Sequence, residues 1–205
     1  MKIGYRVDKK TDNLMLNQIL KQELQISSSL RREIIQSNAC TVNGHILYLS
    51  SRVKEGDCIA IDLDKTNSAD DNLEVNINLE KEMGNNIDVV YEDEYILAVN
   101  KEAGTSSHPN ANQKEETLTQ QVQEYYIKKG YRCNVHIVNR LDRNTSGICI
   151  FAKHKYIQEL LSKAMKTDNF RKEYIAVVHG KMQNTHGFLE GKIARKSDSI
   201  ILREV

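Results

Sequence analysis

The chain has 205 residues, enough to bury a core in one large domain or in a small domain followed by a medium one, and two domains are expected. Apolar residues make up 40% and charged residues 28%, which excludes a disordered chain, and no apolar run approaches the roughly 20 residues that span a bilayer. With a formal net charge of +1, a nucleic-acid partner has to be argued from where the charge lies and not from its sum.

The opening MKIGYRVDKK lacks the apolar stretch of a secretory signal, and Cys40, Cys58, Cys133 and Cys149 are scattered without a paired framework, so a reducing cytoplasm is expected. Residues 12–25 carry Leu16, Ile19, Leu20 and Leu24 at helical spacing. The stretch SSSLRREIIQSNA repeats the pattern with Leu30, Ile34 and Ile35 after a serine cap. In TVNGHILYLS, Asn43-Gly44 between β-prone residues signals a hairpin, and RVKEGDCIAIDL reads as a turn at Gly56 and a closing strand. Residues 1–64 thus read as a small α+β unit.

From Lys65 the chain becomes polar and rich in small residues, which places a linker at 65–87 and a second domain at 88–205. IDVVYEDEYILAVNK predicts two strands joined at Asp93-Glu94, and ETLTQQVQEYYIKKG a helix ending at Gly130. VHIV and ICIFA predict short strands. Ile157, Leu160, Leu161, Ala164 and Met165 form the apolar stripe of a further helix, whose ordinary meaning is core packing. KEYIAVVHG predicts another strand.

Charge is segregated along this order. Residues 65–95 hold two Lys against nine Asp or Glu, whereas residues 126–181 hold twelve Lys or Arg against four Asp or Glu. A basic block is most often a solvated helix face, and a polyanion-binding surface is the sharper reading. Cys133 and His136 have half the spacing of a metal site, but no second Cys/His pair accompanies them and no metal is expected.

Inside the basic block lies VNRLDRNTSG, residues 138–147, where Asp142 sits between Arg140 and Arg143 in a polar turn. An aspartate in a turn usually serves only the turn. Two resemblances change its weight. Residues 12–63 resemble the RNA-binding domain named for ribosomal protein S-four, which implies that Arg31, Arg32 and Asn43 lie on an RNA face with Lys54 near it. Charge would not have suggested this, since residues 1–64 hold nine Lys or Arg against eight Asp or Glu.

Residues 88–181 resemble the RluA-type pseudouridine synthases in three ordered stretches: VVYEDEYILAVNKEAG with HP shortly after, NRLDRNTSGICIFAK, and RKEYIAVVHG. The resemblance implies an α+β protein whose mixed or antiparallel sheet domain isomerises uridines in structured RNA, ribosomal RNA ahead of transfer RNA, without metal or organic cofactor. Asp142 stands at the catalytic aspartate, Tyr174 at the tyrosine that packs on the flipped uracil, and Arg140 at the side chain that fills the gap left in the base stack and binds phosphate. Asn139 and Glu102 depart from the usual His and Pro without removing a reactive group.

The family's further motif, with a basic residue that pairs with the aspartate and strands that complete the sheet, is not found before Val205, so the catalytic domain is expected to be incomplete. A full-length enzyme of this kind is expected to be a monomer, and a truncated sheet to self-associate through its open edge. A carboxylate could attack the anomeric carbon or take a proton from the ribose, and the sequence leaves both routes open. Two competing readings remain: an RNA-binding protein without catalysis, and a carboxylate-based hydrolase of small nucleosides.

Overall fold

Two helices form where the sequence spaces its leucines and isoleucines. In the computed structural model, which describes residues 1–66, 87–108, 116–131, 133–168, 170–188, 190–191, 194–195 and 203–204, α1 spans Leu16–Gln22 and α2 spans Ser28–Gln36. Ser27 caps α2, its Oγ accepting the Leu30 amide at 3.2 Å. Leu16, Ile19, Leu20, Leu30 and Ile34 are buried against a three-stranded antiparallel sheet of order β1-β3-β2, with β1 at Lys2–Arg6, β2 at Cys40–Val42 and β3 at Cys58–Asp62. The strand β1 was not foreseen, although Ile3 and Tyr5 alternate with exposed neighbours at the period of a half-buried strand.

Asn43 and Gly44 adopt φ of 50° and 82°, both left-handed as a two-residue hairpin turn requires, and Val42 and His45 exchange backbone bonds of 2.8 and 2.9 Å. The hairpin stops at that rung. The carbonyls of Leu49 and Ser51 accept the amides of Asn17 and Leu16 at 3.0 and 2.8 Å, so this backbone satisfies the start of α1 and is not free to extend a ladder.

A second core forms around a four-stranded antiparallel sheet of order β4-β5-β7-β6, comprising β4 (Asp88–Glu92), β5 (Ile96–Lys101), β6 (His136–Ile137) and β7 (Gly147–Ala152). Leu97, Val99, Cys149 and Phe151 meet Leu118, Val122 and Tyr126 of α3, Leu118–Lys128. That helix ends before Gly130, whose φ of 75° is the left-handed conformation glycine supplies at a helix end. The Glu92 carboxylate accepts Lys153 Nζ at 2.8 Å and Tyr125 Oη at 2.7 Å, tying the end of β4 to α3 and to the residue after β7.

The amphipathic helix α4, Lys155–Ala164, differs from expectation, because none of its residues is fully buried. One face grips the α1–α2 connection. Tyr156 Oη donates to the Leu24 carbonyl at 3.0 Å, Lys163 Nζ to Gln25 at 2.5 Å, and Lys155 pairs with Glu33. Glu159 accepts the Ser27 amide at 3.2 Å and its hydroxyl at 2.5 Å, placing a carboxylate at the N-terminus of α2, where the helix dipole favours it. Ser27→Ala removes both the cap and a Glu159 donor, and we expect it to lower stability by about 1–2 kcal/mol in a urea titration.

Several carboxylates are held below their ordinary range: Asp8 by the Thr11 hydroxyl, and Asp57 by the Lys54 amide and the Asn43 side chain. At Asp93 burial opposes the shift, and the amides of Ile96 and Tyr95 outweigh it. A depressed folded-state value gives stability that is present above the unfolded carboxylate value and is lost as pH falls through the folded one. Urea midpoints measured below about pH 5 should therefore fall progressively with pH.

Contacts divide the chain at residue 171, and Lys172–Val205 forms its own unit. Within it β8 (Ala194–Arg195) pairs antiparallel with β9 (Arg203–Glu204). The expected strand over KEYIAVVHG is not formed. Among the described residues no strand of this unit pairs with it, and Ile175 and Val177 are fully exposed, so the burial that stabilises a strand is not available there. Most of the acidic linker expected at 65–87 lies outside the described residues.

Candidate active-site loop

The approach to β7 is built from backbone bonds. Asn139 uses its side chain on β7, donating to the Ile148 carbonyl at 3.0 Å and accepting the Ile150 amide at 2.7 Å, a structural use consistent with no chemical role. The Thr145 amide closes a turn on the Asp142 carbonyl at 3.0 Å. Gly147 then enters β7 at φ 126°; a Cβ there would meet only Leu141 Cδ1 at 3.8 Å, so the backbone conformation and not crowding calls for glycine.

A second segment, 101–107, fastens this loop. Ser107 is buried, and its hydroxyl donates to the Leu141 carbonyl at 2.8 Å. Gly104 and Arg143 exchange bonds, amide to carbonyl at 2.8 Å and Arg143 Nε to the Gly104 carbonyl at 2.8 Å. Arg143 is thus turned toward the 102–105 turn. Lys101, 1% exposed, donates from Nζ to the carbonyls of Glu102 and Thr105 at 2.9 Å and of Arg143 at 3.0 Å. Burial pulls its ammonium below the ordinary lysine value, while Cys149 and Asp142 act the other way. Arg140 and Asp142 stand exposed on the loop so fixed. An exposed carboxylate on an immobilised turn is suited to meet a substrate that brings its own shape.

The other site residues fall elsewhere. Arg31 and Arg32 lie on α2, where Arg31 reaches the Ile26 carbonyl at 2.5 Å and Arg32 the Ser28 carbonyl at 3.4 Å. Asn43 and Lys54 come together around Asp57, through the Asn43 side chain at 2.8 Å and the Lys54 amide at 2.8 Å. Asn43 also accepts the Cys58 amide at 2.9 Å, so its side chain serves the turn. Tyr174 is exposed in the unit Lys172–Val205. A cavity of about 580 Å³ at the β4–β5 turn, lined by Glu92, Asp93, Glu94, Tyr131, Cys133, Lys153 and His154, contains none of these residues. Among the described residues no group of three or more His, Cys, Asp or Glu could hold a metal ion.

Sequence reasoning missed Lys101 and Ser107. Lys101 did lie inside the resembling stretch VVYEDEYILAVNKEAG, directly before the turn EAG, but no role was assigned to it.

The family model for RNA pseudouridylate synthase matches residues 95–204, a stretch that includes this loop and Tyr174. The chain belongs to that family. It is 34% identical over 184 residues to "Uncharacterized RNA pseudouridine synthase YjbO" of Bacillus subtilis, covering 89% of this chain and 62% of that protein. It is 29% identical over 189 residues to "Uncharacterized RNA pseudouridine synthase YhcT" of the same organism, covering 92% and 60%. "Ribosomal large subunit pseudouridine synthase C" of Buchnera aphidicola is 29% identical over 148 residues, covering 72% and 45%. The chain thus spans about half to six-tenths of the length of these relatives.

Proposed function

We propose that the protein is an RNA pseudouridine synthase that isomerises specific uridines in structured RNA, with Asp142 as its carboxylate. The observation that carries this reading is the family match over 95–204, which includes the loop that presents Asp142. The reaction breaks the bond between ribose C1′ and uracil N1, turns the base, and joins C1′ to C5; the C5 proton leaves to solvent and N1 regains one. Atoms and electrons balance without an oxidant or a nucleotide cofactor. An ionised carboxylate supplies the nucleophile for C1′ or the base for a ribose proton.

Before either step the uridine leaves its stack, at a cost of a few kcal/mol. Arg140, exposed on the same loop, has a planar guanidinium that can take the vacated place and bind phosphate, and Tyr174 packs on the extruded uracil. Residues 1–64 act as an S-four-type module reading RNA shape through Arg31, Arg32, Asn43 and Lys54, joined by a linker at 65–87 to the catalytic domain at 88–205. Ribosomal RNA is the favoured substrate, supported by the ribosomal name of one relative. The setting is the cytoplasm.

The test is release of tritium from carbon 5 of uracil in ribosomal RNA, in transfer RNA and in free uridine. Release from ribosomal RNA ahead of the others is the expected result. Release from free uridine alone would favour a nucleoside enzyme, and RNA binding without release would leave a binding protein.

A further inference from the structure

We propose that α4 fixes residues 1–64 at one offset from the Asp142 loop and that this offset selects which uridines are isomerised, with Glu159 as the central specificity-determining residue; the inference rests on the RNA isomerase reading above. One face of α4 holds the N-terminal module. Lys155, Tyr156, Glu159 and Lys163 fall within an arc of about 100° around the helix, and each reaches the α1–α2 region. Glu159 accepts the Ser27 amide at 3.2 Å and its hydroxyl at 2.5 Å, Tyr156 Oη donates to the Leu24 carbonyl at 3.0 Å, Lys163 Nζ donates to the Gln25 carbonyl at 2.5 Å, and Lys155 pairs with Glu33. The Tyr156 side chain also packs against the first core. Directional bonds around an inserted ring are the anatomy of a specific interface.

The same helix is fastened to the strands on both sides of the Asp142 loop. Gln158, about 60° around α4 from Lys155 and outside that arc, donates Nε2 at 2.7 Å to the carbonyl of Ile137, the last residue of β6 before the loop begins. After the loop comes β7, and only Lys153 separates its end at Ala152 from the α4 N-cap His154. One helix thus joins the module to the segment that carries Arg140 and Asp142.

Docking leaves the arginines of α2 free to meet RNA. Glu33 and Arg31 are two residues apart and so lie on opposite flanks of α2, with Arg32 exposed on the outer side between them, and α4 takes the Glu33 flank. A free chain of about twenty residues has ends roughly 25 Å apart on average, so a module joined only through such a chain would serve uridines throughout that radius. A docked module serves one offset, and it adds affinity only for RNA that meets both surfaces at once.

The test uses the full chain carrying Tyr156→Phe, Glu159→Met and Lys163→Met together, which removes three polar anchors, introduces no helix breaker and leaves the net charge unchanged. Amide hydrogen exchange is followed over residues 23–28 and over β7, and the pseudouridines formed in ribosomal RNA are mapped by position. We expect exchange over 23–28 to rise tenfold or more with β7 unchanged, and uridines untouched by the wild type to be modified. On a transcript bearing the wild type's main target, KM should rise about tenfold with kcat within about twofold. Unchanged exchange over 23–28, or modified positions identical to those of the wild type, overturns the inference. If β7 also loses protection, Glu159→Ala alone is read in its place by the same criteria. A wild type that forms no pseudouridine defeats the isomerase reading and this inference with it, whereas an active wild type beside a variant with unchanged positions overturns this inference alone.

Discussion

Asp142→Asn is expected to abolish turnover, lowering tritium release by roughly 10⁴-fold, the scale seen when an enzyme loses a carboxylate its chemistry depends on. Asparagine matches aspartate in shape but carries no charge, and it can neither attack C1′ nor accept a ribose proton. The fold should not notice. Asp142 is exposed, and the bonds that hold its loop come from Lys101, Ser107, Asn139, Arg143 and the backbone. Its stability should stay within about 0.5 kcal/mol of the wild type, as for surface substitutions generally. Activity assays and urea titrations on the same preparation check both halves, and a variant that keeps wild-type release would remove Asp142 from the chemistry.

The largest effect on stability is expected from Phe151→Ala, about 3–5 kcal/mol. Phe151 is 0% exposed, stands opposite Leu97 in β5 and Ile137 in β6, and packs in the core that α3 covers. Truncation leaves a cavity that three elements cannot all close. Against a total of about 5–15 kcal/mol for a folded domain, such a loss removes much of the margin. Because β7 follows the Asp142 loop directly, the consequence is functional as well: hydrogen exchange over residues 138–152 should rise with the fall in urea midpoint. An unfolding free energy within about 1 kcal/mol of the wild type would show that Phe151 does not centre this core.

The elements legible in the sequence are those whose cause is local. Ser27 before an apolar helical pattern, Gly130 after one, and Asn43-Gly44 between β-prone residues each carry their own backbone chemistry, and each cap or turn appears where expected. The same local logic failed where the decisive partner is remote. The segment after His45 has strand-forming residues, yet its carbonyls are taken by α1. The stripe on α4 predicts burial, but how deeply a stripe is buried depends on what covers it. Tyr174 to Val178 has strand composition and no paired neighbour among the described residues of its unit.

The site divides the same way. Asp142 was conspicuous because a charged residue between two arginines in a turn invites a chemical reading, and the resemblance of NRLDRNTSG gave it one. Lys101 lay inside a resembling stretch, but its use could not be read there because its partners are backbone carbonyls, which every residue possesses and no sequence displays. Arg143 looked like an equal partner of Arg140 in the sequence, whereas in the fold its guanidinium reaches back to Gly104.

One measurement bears most directly on RNA isomerisation by this chain. After incubation with ribosomal RNA, the RNA is digested to nucleosides and separated by chromatography with mass detection. Isomerisation predicts a nucleoside of unchanged mass and altered retention, pseudouridine, formed in equal amount to the uridine lost and absent with Asp142→Asn. Free uracil with an abasic ribose would show hydrolysis instead, and an unchanged nucleoside profile with RNA still bound would show binding without chemistry; either result contradicts the proposal.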